Sequence, residues 1–379
     1  MYKRQLKLPD LLRKKSFFLF GPRATGKTTL VEHQLSDALV IDLLEVRTFS
    51  NLVRDPSLLS ELIVNNKQIV VIDEVQKLPQ LLDEVQRLIQ KRKITFLLTG
   101  SSARKLRHGG ANLLAGRARE ARLFPLTFDE IPEFDLMRML NHGGLPDIYD
   151  SDEPNEDLAA YVDTYLREEI KAEAVTRNIG AFVEFLDVCA LSNGQEVNYQ
   201  SFASDLQVSP STLKNYLRIL EDTLIGFSLP GFVKTKKRKS ISRAKHYFFD
   251  LGVTRHLAKT GHIATGSKAF GDALEHFIIL EMRAYLSYTR KRMDMRYWRT
   301  TSQFEVDLLV GQELAVEIKA SASPGTKHLK GLRALMEEGL FKQYYLICTC
   351  DKPRRTDDGI NILSWRDFLT ALWTDTLLQ

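Results

Sequence analysis

The sequence has few cysteines and no long apolar segment. Three cysteines among 379 residues (Cys189, Cys348 and Cys350) cannot make a disulfide framework, so we expect a reducing compartment and predict Cys348 and Cys350 to be unpaired, buried apolar side chains. No apolar run approaches the roughly 18 residues that a membrane helix needs, and no apolar core of a secretory signal follows the basic first residues. These absences argue against a membrane protein or a secreted disulfide scaffold and predict a cytoplasmic protein without a membrane partner.

Neither sign of charge dominates. Lys and Arg number 53 and Asp and Glu number 48, which leaves a formal net charge of +5. This small excess permits a nucleic-acid partner but does not require one. At about 100–200 residues per domain, the length predicts two or three domains. A hydrophobic share of 44% with 27% charged residues is typical of folded domains rather than of disordered chains.

Short apolar runs alternate with helical patterns over the first part of the chain. Ser16–Phe20 is nearly continuous in apolar residues, as expected of a strand buried on both faces of a parallel sheet. Strands alternating with helices predict an α/β domain built on such a sheet. Further strands are predicted at 38–42, 68–74, 94–99 and 121–126, and helices at 27–35, 51–65 and 78–91.

A complete phosphate-binding motif follows the first predicted strand. The segment from Gly21 to Thr28 reads GPRATGKT and fits G-x-x-x-x-G-K-[ST] between a strand and a helix. Glycines let the backbone wrap phosphates, Lys27 can reach the β- and γ-phosphates, and the Thr28 hydroxyl can bind Mg²⁺. The motif therefore predicts ATP and Mg²⁺. The residues expected to contact the nucleotide are Gly21, Pro22, Arg23, Ala24, Thr25, Gly26, Lys27, Thr28 and Thr29.

Polar residues end the third and fourth predicted strands. Asp73 is expected to hold Mg²⁺ through water, and Glu74 is expected to orient the attacking water. Ser101 follows the next strand, where a polar side chain can sense the γ-phosphate; an ordinary strand-end turn is the alternative. Arg117 is a candidate arginine finger supplied to a neighbouring subunit of a homo-oligomer, with a surface ion pair as the alternative.

The middle of the chain, 156–224, follows a mostly helical pattern. Helices predicted at Tyr199–Leu206 and Thr212–Leu224 are joined by a short turn, in which Ser209 is expected to cap the second helix and Pro210 to begin it. Two helices joined in this way indicate a helix-turn-helix.

Two further strands and a basic segment follow this helix pair. Strands at 227–232 and 245–249 would form the wing of a winged helix, with seven basic residues from Lys234 to Lys245. Such a wing can follow a phosphate backbone, whereas a solvated loop is the alternative. The DNA-binding candidates are Lys214 and Arg218 on the second helix and Lys236, Lys237, Arg238 and Lys239 in the basic segment.

Two predicted strands of the last third carry an acid-and-lysine pattern. Asp307 stands on one strand, and alternation along the next puts Glu317 and Lys319 on one face. Paired carboxylates can bind Mg²⁺ while an ammonium stabilises developing phosphate charge, and Glu275 on the preceding helix would complete the metal site. The alternative is a nuclease-like fold without activity, kept for binding or assembly. Helices are predicted here at 272–288 and 327–338, and strands at 295–299, 304–310, 314–318 and 343–348.

In these motifs and their order, the sequence resembles prokaryotic AAA-type P-loop ATPases that carry a C-terminal uncharacterised domain of restriction-endonuclease-like, PD-(D/E)xK fold. The stretches that carry the resemblance span nearly the whole chain: GPRATGKTTL, VVIDEVQKLP, LLTGSSARKL with LAGRARE, LFPLTFDEI, GGLPDIY, YLREEI, SPSTLKNYLRILEDT, YFFDLG, and WRTTSQFEVDLLV with AVEIKA. The resemblance implies an α/β ATPase domain over 1–150, a helical and winged-helix domain over 151–265, and an endonuclease-like α/β domain over 266–379.

The leading functional hypothesis is ATP hydrolysis coupled to DNA binding, with Mg²⁺-dependent nuclease or DNA-remodelling activity as a further expectation. A nucleotide-regulated switch or scaffold that acts on a protein partner, with a silent nuclease-like domain, is the alternative. The expected catalytic residues are Glu74, Arg117, Asp307, Glu317 and Lys319, and the expected metal ligands are Thr28, Asp73, Glu275, Asp307 and Glu317.

Overall fold

The computed structural model describes residues 2–102, 104, 106, 114–166 and 179–378. Part of the predicted helical stretch 156–224 and most of the YLREEI segment lie outside these residues. The contacts divide the chain into two compact units, Met1–Leu126 with Asp222–Ile225, and Thr127–Glu221 with Gly226–Gln379. The division into three domains at 150 and 265 stays a prediction.

A five-stranded parallel sheet forms the centre of the first unit. The strands β1 (Ser16–Phe20), β2 (Leu39–Asp42), β3 (Val70–Asp73), β4 (Phe96–Gly100) and β5 (Ala118–Arg122) lie in the order β2-β3-β4-β1-β5. Every neighbouring pair is parallel, which confirms the predicted α/β class of this part of the chain. Because β4 lies between β1 and β3, the strand that leads into the phosphate-binding motif does not touch the strand that ends at Asp73.

The helices predicted at 27–35 and 78–91 are present as Lys27–Gln34 and Leu81–Arg92, whereas the helix Leu8–Leu12 was not predicted. The single helix predicted at 51–65 is wrong, because the chain leaves the helix at Asp55, immediately before Pro56. A proline disfavours helical backbone in the residue before it, so Asp55 is extended and the helix divides in two. The described helices are Leu8–Leu12, Lys27–Gln34, Val46–Arg54, Leu58–Leu62 and Leu81–Arg92, with a 3₁₀ turn at Val75–Lys77.

An apolar stripe on the helix Leu81–Arg92 packs into the core of this unit. Leu81, Val85 and Leu88 recur every three or four residues and are fully buried. Burial of a side chain of this size typically contributes about 1.5–3 kcal/mol. They pack in one cluster with Ile72 of β3 and Leu98 of β4. This packing holds in place the ends of β3 and β4, where polar residues follow.

The second unit begins with helices. Thr212 N donates to Ser209 Oγ at 3.1 Å, so Ser209 caps the helix that begins at Pro210, as predicted. The described helices are Leu136–His142, Pro146–Asp150, Pro154–Ala159, Ile179–Leu191, Tyr199–Asp205, Pro210–Asp222, Leu251–Leu257, Lys268–Tyr288, Lys330–Met336 and Trp365–Trp373, with a π-helical stretch at Ala160–Leu166.

A six-stranded mixed sheet follows. Its strands are β8 (Met295–Arg299), β9 (Glu305–Val310), β10 (Leu314–Ile318), β11 (Gln343–Cys348), β12 (Arg354–Arg355) and β13 (Asn361–Ser364), and they lie in the order β12-β13-β11-β10-β9-β8. β10 runs antiparallel to β9 and parallel to β11, so Val316 of β10 stands opposite Leu308 of β9. The last two strands and the final helix were not predicted, because their apolar runs are short.

The two strands predicted as a wing pair with each other, but the segment that joins them lies along β8. β6 (Gly226–Leu229) and β7 (Lys245–Phe248) are antiparallel. Between them, Phe232 N donates to Tyr297 O at 2.7 Å and Ile241 N donates to Arg299 O at 2.8 Å. The connection is therefore anchored to the mixed sheet at two places.

The cysteine prediction was wrong in one respect. Cys348 and Cys350 form a disulfide with their Cα atoms 5.3 Å apart, a separation typical of such bonds. Thr349 between them donates its N–H to Ser321 O at 3.1 Å, where the chain leaves β11. No helix in the described ranges is both long and apolar enough to cross a membrane.

Candidate functional site

The phosphate-binding motif forms the turn between β1 and the helix Lys27–Gln34. Gly26 precedes the helix with φ of 85°, a left-handed value that favours glycine. At Gly21 a Cβ would stand 2.5 Å from the Leu123 carbonyl oxygen, so only glycine lets the two backbones approach this closely. Both motif glycines are therefore required by the shape of the turn itself.

Lys27 lies inside this turn. The residue is 7% exposed, and its Nζ donates to Gly21 O at 2.7 Å and to Pro22 O at 3.1 Å. An ammonium held by carbonyl oxygens can exchange them for phosphate oxygens, which are stronger, charged acceptors. Thr25 Oγ1 donates to Pro22 O at 2.8 Å and closes the turn. Among the other predicted contacts, Arg23, Thr28 and Thr29 are exposed and Ala24 is half-buried.

Asp73 accepts hydrogen bonds from three directions at the end of β3. Thr28 Oγ1 donates to Oδ2 at 3.3 Å, while Glu74 N, at 3.2 Å, and the Thr99 hydroxyl donate to Oδ1. Thr28 belongs to the phosphate-binding motif and Thr99 to the neighbouring strand β4, so Asp73 is bonded both to the next strand of the sheet and to the motif that follows β1. Thr99 was not a sequence candidate for this contact, although a hydroxyl after the apolar run Phe96–Leu98 was a signal.

Glu74 adopts a strained conformation beside Asp73. Its φ is 57°, a left-handed value that costs about 1–3 kcal/mol for a non-glycine residue and is frequent at functional sites. Gln76 Nε2 donates to Glu74 Oε2 at 2.5 Å and lies 3.5 Å from Ser101 Oγ. Gln76 Oε1 is buried and accepts no hydrogen bond from the described residues. Sequence reasoning missed Gln76, since a single glutamine after an acidic pair follows no chemical pattern.

Arg117 is half-buried just before β5. Its N–H donates to Leu114 O at 2.8 Å, and its guanidinium faces the side-chain amide of Gln90, whose oxygen accepts when it is turned toward the arginine. Arg117 therefore has a partner within its own unit. Its role as a finger for a neighbouring subunit stays a prediction.

The side chains at these strand ends fit a nucleotide bound with a divalent cation. Lys27 and the N-terminus of an eight-residue helix favour phosphate. The hydroxyl of Thr28 and the carboxylate of Asp73 are oxygen ligands of the kind that Mg²⁺ prefers. The carboxylate of Glu74 remains as the group that can orient and polarise water.

Asp307, Glu317 and Lys319 come together in the second unit, where β9 lies beside β10. Lys319 Nζ is 2.6 Å from Glu317 Oε1 and 3.4 Å from Asp307 Oδ2. Ile318 N donates to Asp307 Oδ2 at 2.8 Å, so the backbone of β10 also holds this carboxylate. Both acids are buried, whereas Lys319 is about one third exposed. One ammonium thus bridges two carboxylates at the surface of the sheet.

Glu275, on the helix Lys268–Tyr288, joins this group with residues that the sequence did not suggest. Lys245 Nζ is 3.0 Å from Glu275 Oε1 and 2.8 Å from Glu305 Oε1. Tyr247 donates its hydroxyl to the same Glu275 oxygen at 2.7 Å. Lys245 and Tyr247 alternate on β7 and so share a face. Lys245 was counted as part of the basic segment, but it is buried among acids.

Burial and neighbouring charges together shift the pKa values in this carboxylate cluster. Burial, and then the charge of Asp307, raise the pKa of Glu317 well above its ordinary value. Burial also raises the pKa of Glu275, although Lys245 opposes the rise. Burial disfavours the charged form of Lys319, but Asp307 and Glu317 outweigh it and raise the lysine pKa. The cluster is therefore a set of mutually dependent ion pairs.

The predicted metal centre of Glu275, Asp307 and Glu317 is not assembled in this arrangement. Within the described ranges, no three Asp, Glu, His or Cys side chains stand together as a metal ion would need. The lysine nitrogens of Lys245 and Lys319 lie against the carboxylates instead.

The DNA-binding candidates differ in their surroundings. Lys214 and Arg218 are exposed on the helix Pro210–Asp222, and Lys214 Nζ lies 5.5 Å from the Tyr199 ring centre. Arg238 is mostly buried, donates to Ala334 O at 2.8 Å and covers the Phe304 ring. Lys236, Lys237 and Lys239 are exposed.

Comparison with protein families divides the chain into three matched regions. Residues 13–132 match an AAA domain. Residues 133–263 match a domain of unknown function (DUF8612), and residues 270–368 match a second domain of unknown function (DUF4143). The chain therefore carries an AAA domain at its N-terminus and a DUF4143 domain at its C-terminus, and the AAA match agrees with the parallel sheet and its phosphate-binding turn.

Similar proteins occur in bacteria and archaea. An uncharacterized protein of Mycobacterium tuberculosis is 29% identical over 321 residues, which cover 81% of this chain and 70% of the relative. An uncharacterized protein of Methanocaldococcus jannaschii is 25% identical over 420 residues, which cover 95% of this chain and 85% of the relative. The match to the solved structure of C. elegans PCH-2 covers 55% of this chain and 61% of the PCH-2 chain, at 15% identity. Its TM-score of 0.23 is too low to carry an argument.

Removal of the Thr99 hydroxyl should weaken Mg²⁺ retention. Thr99→Val takes one donor from Asp73, and groups that orient a metal ligand typically contribute about 10–100-fold in metal affinity. We expect the Mg²⁺ concentration for half-maximal ATP turnover to rise about tenfold. The turnover rate at saturating Mg²⁺ should change little. Thr95→Val, just before β4, is the control. An unchanged Mg²⁺ dependence in Thr99→Val would show that the hydroxyl does not support the metal ligand.

Proposed function

We propose that the protein is a Mg²⁺-dependent ATPase. The observation that carries the proposal is the 3.3 Å hydrogen bond between Thr28 of the phosphate-binding turn and Asp73 of β3. It joins two expected metal-side oxygens, one from the first turn of the helix Lys27–Gln34 and one from the end of β3, with Lys27 beside Thr28 and Glu74 beside Asp73. The AAA domain match supports nucleotide hydrolysis in general.

Each side chain has a distinct part in this proposal. Lys27 gives up its carbonyl partners and binds the phosphates. Bound Mg²⁺ would withdraw charge from the phosphates while Thr28 and Asp73 hold it. Glu74 orients the attacking water, and Gln76, bonded to its carboxylate, positions it. In a homo-oligomer, Arg117 of a neighbouring subunit would place a positive charge beside the phosphates and stabilise the charge of the transition state.

Two substitutions separate binding from hydrolysis. Lys27→Ala should abolish tight ATP binding, because the ammonium inside the turn is lost. Glu74→Gln should retain ATP but slow its hydrolysis by about 10²-fold or more, since an amide polarises water poorly. Nucleotide titration and phosphate release measure the two effects. Normal hydrolysis by Glu74→Gln would require another activating residue, and parental turnover by Lys27→Ala would refute the ATPase site.

We also propose that the second unit binds DNA through exposed lysines of the basic segment. Lys236, Lys237 and Lys239 are exposed, and the backbone N–H groups of Lys236 and Lys237 donate to the Glu338 carboxylate. The anchored backbone presents the lysine side chains at a fixed place, where phosphate contacts would release counterions. Arg238 supports the segment rather than the DNA, because its guanidinium donates to Ala334 O and to Glu337 and covers the Phe304 ring.

Replacement of these three lysines tests the interface. Lys236, Lys237 and Lys239 changed to Ala should weaken DNA binding and lower the salt slope by up to about three, one per phosphate contact. ATP turnover without DNA should be unchanged. Exposed Lys14, Lys67 and Lys91 changed to Ala provide a control with the same loss of charge. Equal DNA affinity for the two triple variants would favour a solvated loop.

A second candidate function is Mg²⁺-dependent cleavage of a phosphodiester bond. The observation that favours it is the contact of Lys319 with both Asp307 and Glu317 on neighbouring strands of a mixed sheet. Two anionic ligands and one cation are the groups that this reaction uses. We propose a restriction-endonuclease-like fold for this part of the chain on the same basis.

Cleavage should depend on Asp307. Asp307→Asn keeps an oxygen that can accept from Ile318 N but removes the charge that would bind Mg²⁺, so we expect strand cleavage to disappear while ATP turnover survives. Plasmid, forked and four-way DNA with Mg²⁺ or Mn²⁺ are the substrates. Glu313→Gln, in an exposed ion pair with Lys342 beside the same sheet, is the control. Absence of cleavage by the parent on every substrate would favour a binding or assembly role.

A further inference from the structure

Arg4 is a buried arginine whose guanidinium reaches the phosphate-binding turn. It is 6% exposed, and its Nη1 donates to Thr25 O at 2.7 Å. Its Nη2 donates to Phe124 O at 2.5 Å and lies 3.4 Å from Pro125 O, in the segment that follows β5. One side chain therefore binds carbonyl oxygens of two separate segments at the end of the parallel sheet where the turn lies.

The two segments that Arg4 joins are also in direct contact. A Cβ on Gly21 would lie 2.5 Å from Leu123 O, and Leu123 N donates to Phe20 O at 2.8 Å. The backbone of the turn and the backbone after β5 are therefore close to each other independently of Arg4. The arginine adds a charged donor to this contact, and it reaches the turn at the carbonyl of Thr25.

The chain around Arg4 is bonded to the far end of the helix Lys27–Gln34. Gln34 Nε2 donates to Leu6 O at 3.0 Å, and Leu8 N donates to Gln34 Oε1 at 2.8 Å. The segment that carries Arg4 is thus attached to this helix at one end through Gln34 and to the turn before the helix through the guanidinium. These attachments hold the guanidinium in place beside the turn.

The carbonyl that Arg4 binds belongs to the same peptide unit as the N–H of Gly26. A peptide unit is planar and trans, so its C=O and N–H point in opposite directions. Gly26 immediately precedes the helix Lys27–Gln34, and N–H groups at the start of a helix lack acceptors within it and bind anions. If this peptide turned over, a carbonyl oxygen would replace the N–H and repel phosphate. Glycine permits many backbone conformations, so an outside partner is needed to hold one orientation.

We propose that Arg4 is a positioning residue that holds the Thr25–Gly26 peptide with its N–H available to the nucleotide phosphates. It acts through the carbonyl of Thr25 rather than on the nucleotide. The inference rests on the proposed ATPase function and deepens it, because it assigns a part in phosphate binding to the segment before the first helix. A backbone N–H binds the phosphates in the ground state and in the transition state alike, so the loss of Arg4 should raise KM rather than lower kcat.

Steady-state ATP hydrolysis by the full chain compares the parent with Arg4→Met, which fills similar space but donates no hydrogen bond. We expect KM for ATP to rise about 10–100-fold, the loss expected for one hydrogen bond to a charged acceptor, while kcat changes little. Gln34→Met is the matched control, because it releases the same segment from the helix without removing the donor to Thr25 O. It should raise KM much less, and equal rises in the two variants would show that Arg4 only attaches the segment.

A spectroscopic signature separates peptide orientation from a general loosening of the turn. In protein that carries isotope-labelled glycine, the amide resonance of Gly26 should shift when Mg²⁺-ADP binds to the parent, because the N–H gains a phosphate acceptor. At saturating ADP this shift should be smaller in Arg4→Met. The same Gly26 shift in both proteins would overturn the inference.

A second variant protects the test against misfolding. If thermal melting shows that Arg4→Met does not fold, Arg4→Gln keeps a polar group in the buried site but is too short to bridge Thr25 O and Phe124 O. It should also raise KM, and a parental KM in folded Arg4→Gln would overturn the inference.

The outcomes separate the inference from the function on which it rests. If the parent hydrolyses ATP and Arg4→Met keeps the parental KM, the ATPase function stands and the role of Arg4 is overturned. If the parent neither binds nor hydrolyses ATP, the inference and the proposed ATPase function both fail.

Discussion

A carboxylate removed from water must find donors or cations inside the protein, and both candidate sites are arranged around that requirement. Asp73 has two hydroxyls and a backbone N–H, and Asp307 has a backbone N–H and Lys319. The two solutions have different consequences. Hydroxyl donors leave the charge of Asp73 uncompensated, so that carboxylate can still attract a cation. Lysine donors compensate the charge of the second cluster, so that a metal ion would have to displace a lysine ammonium to bind there.

The basic segment shows how position changes the meaning of a charged residue. Of the seven basic residues from Lys234 to Lys245, Lys245 is buried among acids and Arg238 packs against Ala334 and the Phe304 ring, while Lys234, Lys236, Lys237 and Lys239 are exposed. The backbone between β6 and β7 is itself tied to β8 and to Glu338. A run of positive charge thus combines structural ion pairs with a surface available to a polyanion, and only the exposed lysines contribute to the second role.

The sequence predicts best those features that depend on residues close together in the chain. Continuous apolar runs identified four of the parallel strands, and the spacing of the phosphate-binding motif placed Lys27 and Thr28. The fifth strand, β5, begins three residues before the strand predicted at 121–126, because its sequence AREAR is not apolar. Pro56 divided a helix that the apolar pattern suggested was continuous. Thr99 and Lys245 could not be assigned from the sequence, because each contacts a residue of another strand or helix. Gln76 lies only two residues from Glu74, but a single glutamine there follows no chemical pattern. Strand order determines such pairs: β4 brings Thr99 to Asp73, and β7 brings Lys245 to Glu275.

The two functional readings of the C-terminal acids, an active nuclease-like site and a silent one, depend on the same contacts. With both ammonium groups in place, the acids form ion pairs that hold β7 and the helix Lys268–Tyr288 to the mixed sheet, which is what a silent assembly module would retain. A silent module, however, gains nothing from an unsatisfied buried oxygen, and a fully paired or apolar interior would be at least as stable. Glu317 Oε2 is that unsatisfied oxygen. Ion pairing with Lys245 and Lys319 satisfies the other acids of the cluster but leaves this oxygen without a donor among the described residues, so assembly alone does not explain why a glutamate stands at this position.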